Sequence, residues 1–280
     1  MLVRSFVVLV VVALIGAGLY LASPAGRQLL DRMQINAKRE ENKLRHQSGL
    51  PLHGSPDLAR LDERLASAGV AIGDPIFIRI FKLESELELW VEKDGRYVLF
   101  ATYPICRWSG RLGPKLKEGD RQAPEGFYTV SAEQLNPNSR WHRSFNLGFP
   151  NAFDRAHGRT GSFLMVHGGC GSVGCYAMTD AGVDEIWRFI TAALEKDKAA
   201  VPVHVFPFRL SDRKLASRAK AYPWAGFWAD LKKGHDLFEA SFVPPVVSVC
   251  DGRYVVAPGS AGSVGKPIEE NCRPNLAGNS

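Results

Sequence analysis

SFLMVHGGCGSVGCYAMTDAGVDEIWRFITAALEKDK, residues 162–198, decides how the rest of the chain is read. Ser162 to His167 is short, continuous and apolar, the pattern of a strand buried on both faces. Thr179 to Lys198 carries the helical period. Thr179 is a good N-cap and Asp180 falls in the first turn. Val183, Ile186, Trp187, Ile190 and Leu194 line one face. Between strand and helix lies a glycine-rich turn that holds one histidine and two cysteines.

Outward from this segment the period changes to two. Ile76, Ile78 and Ile80 alternate with Phe77, Arg79 and Phe81, and Leu87, Leu89 and Val91 follow. Asp94-Gly95 before Tyr97 to Ala101 is a strong hairpin signal. Trp108 to Glu125 reads as a loop rich in Gly, Pro and charge. Gly126 to Ser131 and Val201 to Phe208 read as further strands. Ala225 to Glu239 is a second helix, with Phe227, Trp228, Leu231 and Phe238. The expected class is mainly β (α+β), with no internal repeat. A chain of 280 residues with 45% hydrophobic content supports one principal domain plus extensions. The net charge of +6 suits an anionic surface without choosing one. There is no interleaved basic–aromatic stripe and no zinc-finger or RNA-binding signature, so no nucleic-acid partner is expected.

His167-Gly-Gly-Cys170-Gly-Ser172-Val-Gly174-Cys175 admits four readings. Gly169 to Gly174 matches G-x-G-x-x-G literally. A dinucleotide site, however, also needs a βαβ unit and an acid ending the next strand, about 20 residues on. Glu195 has that spacing but lies inside the expected helix. His167, Cys170 and Cys175 are three metal-type ligands, yet a structural zinc site wants four. Buried cysteines in a glycine turn can also be inert. The fourth reading is a thiol nucleophile with a base. An imidazole in reach can take the thiol proton and later return it to a leaving amine. The backbone N–H groups of Gly174 and Cys175 are the natural oxyanion donors. The following helix N-terminus favours a thiolate. Each element of the turn has a reason to be there on this reading, which calls for no cofactor and no metal.

The turn resembles the L,D-transpeptidase catalytic domain, the YkuD-like family. The matching positions are His167-Gly168 and Ser172-Val173-Gly174-Cys175-Tyr176-Ala177. Val173 stands where that pattern has a second His, and Ala177 where it has Arg or Asn. Four stretches together resemble the YafK-type subgroup from about Asp74 to about Tyr254. They are Cys106-Arg-Trp-Ser-Gly-Arg-Leu-Gly-Pro-Lys, Gln122-Ala-Pro-Glu-Gly-Phe-Tyr, Ser144-Phe-Asn-Leu-Gly-Phe-Pro-Asn-Ala-Phe-Asp and Ser172-Val-Gly-Cys-Tyr-Ala-Met. The resemblance implies a β-sandwich with a helix packed on it after the catalytic cysteine. It implies Cys175 as nucleophile, His167 as proton acceptor and donor, and Ser172 as a site-ordering hydroxyl. The implied substrate is the peptidoglycan stem peptide, acted on by transfer. Hydrolysis of the same bonds, freeing a wall-linked lipoprotein, is one alternative, and a non-catalytic wall-binding protein with the same fold is the other. Arg107, Trp108, Cys170 and Tyr176 are the candidate substrate contacts, Cys170 being either a second site thiol or core filler.

Phe6 to Ala22 is an apolar run ended by Pro24, read as a membrane anchor or a signal peptide. Arg27, Arg32, Lys38 and Arg39 follow it, a bias that favours a cytoplasmic C-terminal side. The site chemistry argues instead for export to the periplasm or cell envelope. The expected organisation is 1–23 anchor or signal, 24–73 helical stalk and 74–209 catalytic domain. A helical C-terminal extension, 210–256, and a mobile tail, 257–280, complete it. Five cysteines leave at least one unpaired. A Cys250–Cys272 disulfide is conceivable in an oxidising compartment.

Overall fold

β1 (Ile76–Phe81) is buried along its whole length, and its alternation separates two cores. Ile76, Ile78 and Ile80 join the main core. Phe77 belongs to a second cluster with Trp90, Tyr97 and Phe238. A strand buried on both faces must be covered on both sides. The computed structural model, which describes residues 2–197, 200–260 and 265–272, shows what covers them.

Before β1 come three helices, α1 (Leu2–Ala22), α2 (Pro24–Gln47) and α3 (Leu61–Ala68). β2 (Glu86–Lys93) and β3 (Arg96–Pro104) then add antiparallel neighbours to β1. The Asp94-Gly95 turn forms with φ of 53° and 78°, the conformation a two-residue hairpin needs. A second five-stranded sheet is assembled from shorter pieces: β4 (Arg107–Trp108), β6 (Leu135–Asn136), β7 (Ser144–Asn146), β8 (Met165–His167) and β9 (Tyr176–Ala177), in the order β4-β9-β8-β7-β6. β5 (Gly126–Val130) and β10 (Val201–Phe206) return to the first sheet, whose order is β3-β2-β1-β10-β5. Trp108, Phe145, Val166 and Tyr176 from the second sheet meet Ile78, Ile80, Leu87 and Leu89 from the first in one core. The architecture is therefore an α+β sandwich dominated by its sheets.

Helix α4 (Ala152–Ala156) lies in the β7–β8 connection, and α5 (Asp180–Asp197) joins β9 to β10. Thr179 Oγ1 accepts the Gly182 N–H, as its N-cap role requires. Val183, Ile186, Ile190 and Leu194 are buried, but Trp187 is only half-buried and Phe189 takes an interior place. Past the sandwich, α6 (Asp212–Ala219) and α7 (Ala225–Ser241) precede a hairpin, β11 (Val246–Cys250) and β12 (Arg253–Ala257). Phe238 of α7 covers the second face of the first sheet through Phe77 and Trp90.

Three sequence expectations change here. Residues 24–47 are not a free stalk. Asp31 and Asn42 of α2 are buried, Asp31 against Arg218 and Tyr222, and Asn42 against the Ile105 carbonyl. Polar residues that look solvated in a linear reading have partners on the body. The C-terminal extension is not wholly helical, because Asp251-Gly252 closes a hairpin. The expected mobile tail is pinned where it is described. Val249 donates its N–H to the Glu269 carbonyl and accepts from the Asn271 N–H, and Cys272 is joined to Cys250. Residues 261–264 and 273–280 of that expectation lie outside the described residues. Within α1, Ser5–Ala22 is apolar and long enough to cross a membrane, with a mean hydropathy of 2.6.

Candidate active site

β8 and β9 run parallel, with Val166 beside Tyr176 and His167 beside Ala177. One step back along this register, Cys175 comes beside Met165, whose N–H points at Sγ from 3.5 Å. Side chains alternate along a strand, so His167 and Cys175 share one face of the sheet. Val166, Tyr176 and Trp108 take the other face and fill the core.

His167 is 2% exposed. Its Nδ1 lies 2.6 Å from the Gly168 carbonyl, which can only accept, so Nδ1 carries the proton. Nε2 is left with its lone pair free, the form a general base requires. Burial pushes the imidazole pKa below its ordinary value, against a smaller opposing effect of the Gly168 bond. Burial pushes the Cys175 thiol up, while the Met165 N–H and the Lys115 charge work the other way. Both shifts favour the neutral forms of thiol and imidazole. The expectation of a thiolate held by the helix N-terminus is corrected. α5 begins only at Asp180, five residues past Cys175, and desolvation outweighs the Met165 N–H and the Lys115 charge.

Ser172 fixes the backbone of Cys175. Its Oγ accepts the Cys175 N–H at 3.0 Å and donates to the Cys175 carbonyl at 2.7 Å. This corrects one oxyanion assignment, since the Cys175 N–H is already engaged. The Gly174 N–H has no partner among the described residues. Gly174 is buried at a φ of 102°, a conformation that suits glycine, so its N–H remains the available donor.

The model of the L,D-transpeptidase catalytic domain matches residues 78–205, a span that holds the whole site. A protein of Escherichia coli (strain K12) named "Putative L,D-transpeptidase YafK" is 47% identical over 209 residues, covering 74% of this chain and 81% of that protein. Its counterpart in Escherichia coli O157:H7 gives the same figures. This chain belongs to the L,D-transpeptidase family. Among solved structures, the helical cell shape determining protein Pgp2 from Campylobacter jejuni is 19% identical with a TM-score of 0.39, over 65% of this chain and 68% of that one. Bd1075 of Bdellovibrio bacteriovorus is 17% identical with a TM-score of 0.36, over 59% and 60%.

In this member of the family the remaining candidates separate by sheet face. Arg107 is exposed on the His167 side of β4. Trp108 is fully buried, its Nε1 donating to Ser85 Oγ and its ring between the Arg39 guanidinium and the Lys82 ammonium. Tyr176 is also fully buried and donates to the Pro124 carbonyl. Neither can meet substrate, because the alternation that puts Cys175 in the site turns its neighbour into the core. Cys170 is bonded to Cys106 across a Cα–Cα distance of 5.2 Å. It is neither a free thiol nor a thiolate for a metal. Sequence reasoning missed four residues: Ser109, bonded to Ser172; Trp141, whose ring centroid is 6.1 Å from that of His167; Lys115; and Ser144. Ser109, Lys115 and Ser144 lie inside the stretches that carried the family resemblance, so a signal for them was present. Phe163, Val173 and Trp141 are exposed apolar side chains of the site segments.

Proposed function

We propose that this L,D-transpeptidase works as an exported cysteine acyltransferase on diaminopimelate-containing stem peptides, through a thioester on Cys175. The observation that carries the reading is the Nδ1 bond of His167 to Gly168, which leaves Nε2 as acceptor on the face of Cys175. Nε2 takes the Sγ proton as sulfur attacks the amide carbonyl carbon. The Gly174 N–H meets the developing oxyanion. The imidazolium then gives its proton to the leaving amine, the C–N bond breaks, and a thioester remains. An amine from a second stem peptide attacks the thioester, loses a proton to His167 and releases the thiol. Arg107, exposed and cationic, would meet a substrate carboxylate on this reading.

A second reading has water resolve the same thioester, which would release a wall-linked lipoprotein. The partly exposed position of Cys175 favours it, because transfer depends on keeping water out. Export is supported by the two disulfides, Cys106–Cys170 and Cys250–Cys272, which need an oxidising compartment. On this reading α1 is an inner-membrane anchor or a signal, and the domain lies in the periplasm. The test is incubation with defined cross-linked and lipoprotein-linked muropeptides, followed by mass spectrometry of the products. New cross-links identify the transferase and free stems identify the hydrolase. Cys175→Ala should abolish both, and full activity in that variant would overturn the mechanism.

A further inference from the structure

Three arginines that no acid answers line one crevice beside α2. Gln28, Arg32, Asn36 and Arg39 follow one another at helical spacing, so they share a face about 16 Å long. Across from that face lie Gly110 and Arg111, from the segment after β4. The crevice widens into a cavity of about 340 Å³ between Gln28, Arg111, Tyr222 and Trp224. Arg32, Arg39 and Arg111 form no ion pair among the described residues. Arg39 donates to the Gly110 carbonyl at 2.9 Å, yet its Nε is buried with no partner. Burial, with the Arg107 charge added, lowers its pKa to about 10. Like charges gathered in a partly dry crevice repel one another, and an anion between them would relieve this.

The protein's own anions are committed elsewhere. Asp120, the acid on the cavity wall, accepts from Lys115 and the Gln122 N–H on one oxygen and from the Leu116 and Lys117 N–H groups on the other. Asp31, next to Arg32 in sequence, is turned to Arg218 and Tyr222. The uncommitted charge lining the crevice is therefore all positive.

One end of the crevice adjoins the active site. Gly110 and Arg111 directly follow Ser109, which donates to the Ser172 carbonyl of the catalytic turn. Arg107, two residues before Ser109, is exposed on the His167 side of β4 and near enough to Arg39 to act on its charge. Guanidinium groups thus lead from the sheet face of Cys175 away along α2. An extended chain advances about 3.4 Å per residue, so the crevice has room for about four or five residues of peptide. Continuity with Arg107 favours a peptide over membrane phosphate as the source of the anion.

We propose that this crevice is a second binding site for the substrate, in which Arg32, Arg39 and Arg111 hold free carboxylates of a peptidoglycan stem peptide beyond the bond at Cys175. The inference rests on the stem peptide being the substrate. The planar fork of arginine matches a carboxylate with two parallel hydrogen bonds. The α2 wall lies outside residues 78–205, so this subsite is built in part by what the chain adds to the catalytic domain.

The test uses the full chain in detergent with Cys175→Ala, which binds without turnover. It is titrated calorimetrically with a diaminopimelate-containing disaccharide tetrapeptide, as the free acid and with its carboxyls amidated. Adding Arg32→Gln and Arg111→Gln should raise Kd for the free acid about tenfold or more and leave Kd for the amide within about twofold. Both side chains are exposed, so the melting temperature should hold. Arg32→Lys with Arg111→Lys should recover part of the loss, because the charge is kept. With Cys175 intact, the double glutamine variant should raise KM about tenfold with kcat within about twofold. An unchanged Kd for the free acid, or equal losses for acid and amide, would overturn the proposal. So would competition by phosphatidylglycerol vesicles that the double glutamine variant abolishes, since the crevice would then be a lipid phosphate site. Turnover by the wild-type chain without arginine-dependent binding would remove the crevice and leave the proposed function standing. Arginine-dependent binding without turnover would do the reverse.

Discussion

At the residue scale, burial favours the neutral forms of both Cys175 and His167, and neither has a full counter-charge. Cys175 is held above its usual thiol range and His167 below its usual imidazole range, in each case by burial first. This sets the pH behaviour. On the proposed mechanism His167 must be unprotonated, so kcat/KM should rise with pH through a value below about 6.5, the ordinary histidine pKa. The thiol itself should not titrate in that range. Alkylation by iodoacetamide without substrate should therefore be no faster at pH 7 than for free cysteine, and should climb steeply above about pH 8.5. Mass spectrometry of the labelled peptide containing Cys175 reads the rate. Rapid labelling that is flat from pH 6 to 8 would mean a preformed thiolate–imidazolium pair, and the proton-transfer order given above would be wrong.

At the scale of the element, the turn from Gly168 to Cys175 is fastened to the edge strand β4 from two sides. The disulfide ties Cys170 to Cys106, just before β4, and Ser109, just after it, donates to the Ser172 carbonyl at 2.9 Å. Cys170 itself sits at a φ of 52°, a conformation that the fastening helps to hold. Reduction should therefore cost activity, an unusual response for the thiol nucleophile proposed above. Dithiothreitol should lower kcat by about 10- to 100-fold, the scale expected when a reacting group is misplaced by about 1 Å. The Cys106→Ala/Cys170→Ala double variant should show the same loss and no further response to reductant. Unchanged or increased activity on reduction would remove the disulfide from the site's architecture. The sequence announced this turn, its strand and its helix, because glycine spacing, an N-cap and hydrophobic period are local signals. It could not announce the Cys106 partner, which lies 64 residues away and is fixed only when β4 pairs with β9. Trp108 and Tyr176 were misread for a related reason. Proximity in sequence to Arg107 and Cys175 suggested the site, but a period of two sends each neighbour to the opposite face. The β11–β12 hairpin was legible by the rule that found Asp94-Gly95, since Asp251-Gly252 also sits between two apolar runs.

At the scale of the molecule, α2 joins the apolar helix α1 to the edge of the active-site sheet. Asp31 accepts two bonds from Arg218, at 2.6 and 3.0 Å, and one from Tyr222. Farther along, Arg39 lies over Trp108 and donates to the Gly110 carbonyl, and Asn42 donates to the Ile105 carbonyl, next to Cys106. Arg39 is desolvated enough for its pKa to fall to about 10, with the Arg107 charge adding to the effect. A helix of 24 residues is about 36 Å long, so docking it on the body fixes how far the site stands from the end of α1. A free stalk would impose no such distance. Asp31 and Arg218 are both buried, so removing one strands the other. Asp31→Ala should destabilise the chain by about 3–5 kcal/mol in denaturant unfolding. Asp31→Leu combined with Arg218→Met should recover most of that loss, because no buried charge is then left unpaired. A cost below about 1 kcal/mol for Asp31→Ala is what a solvated surface pair would give. It would return α2 to the status of a loose tether, and the fixed distance between the candidate site and the end of α1 would go with it.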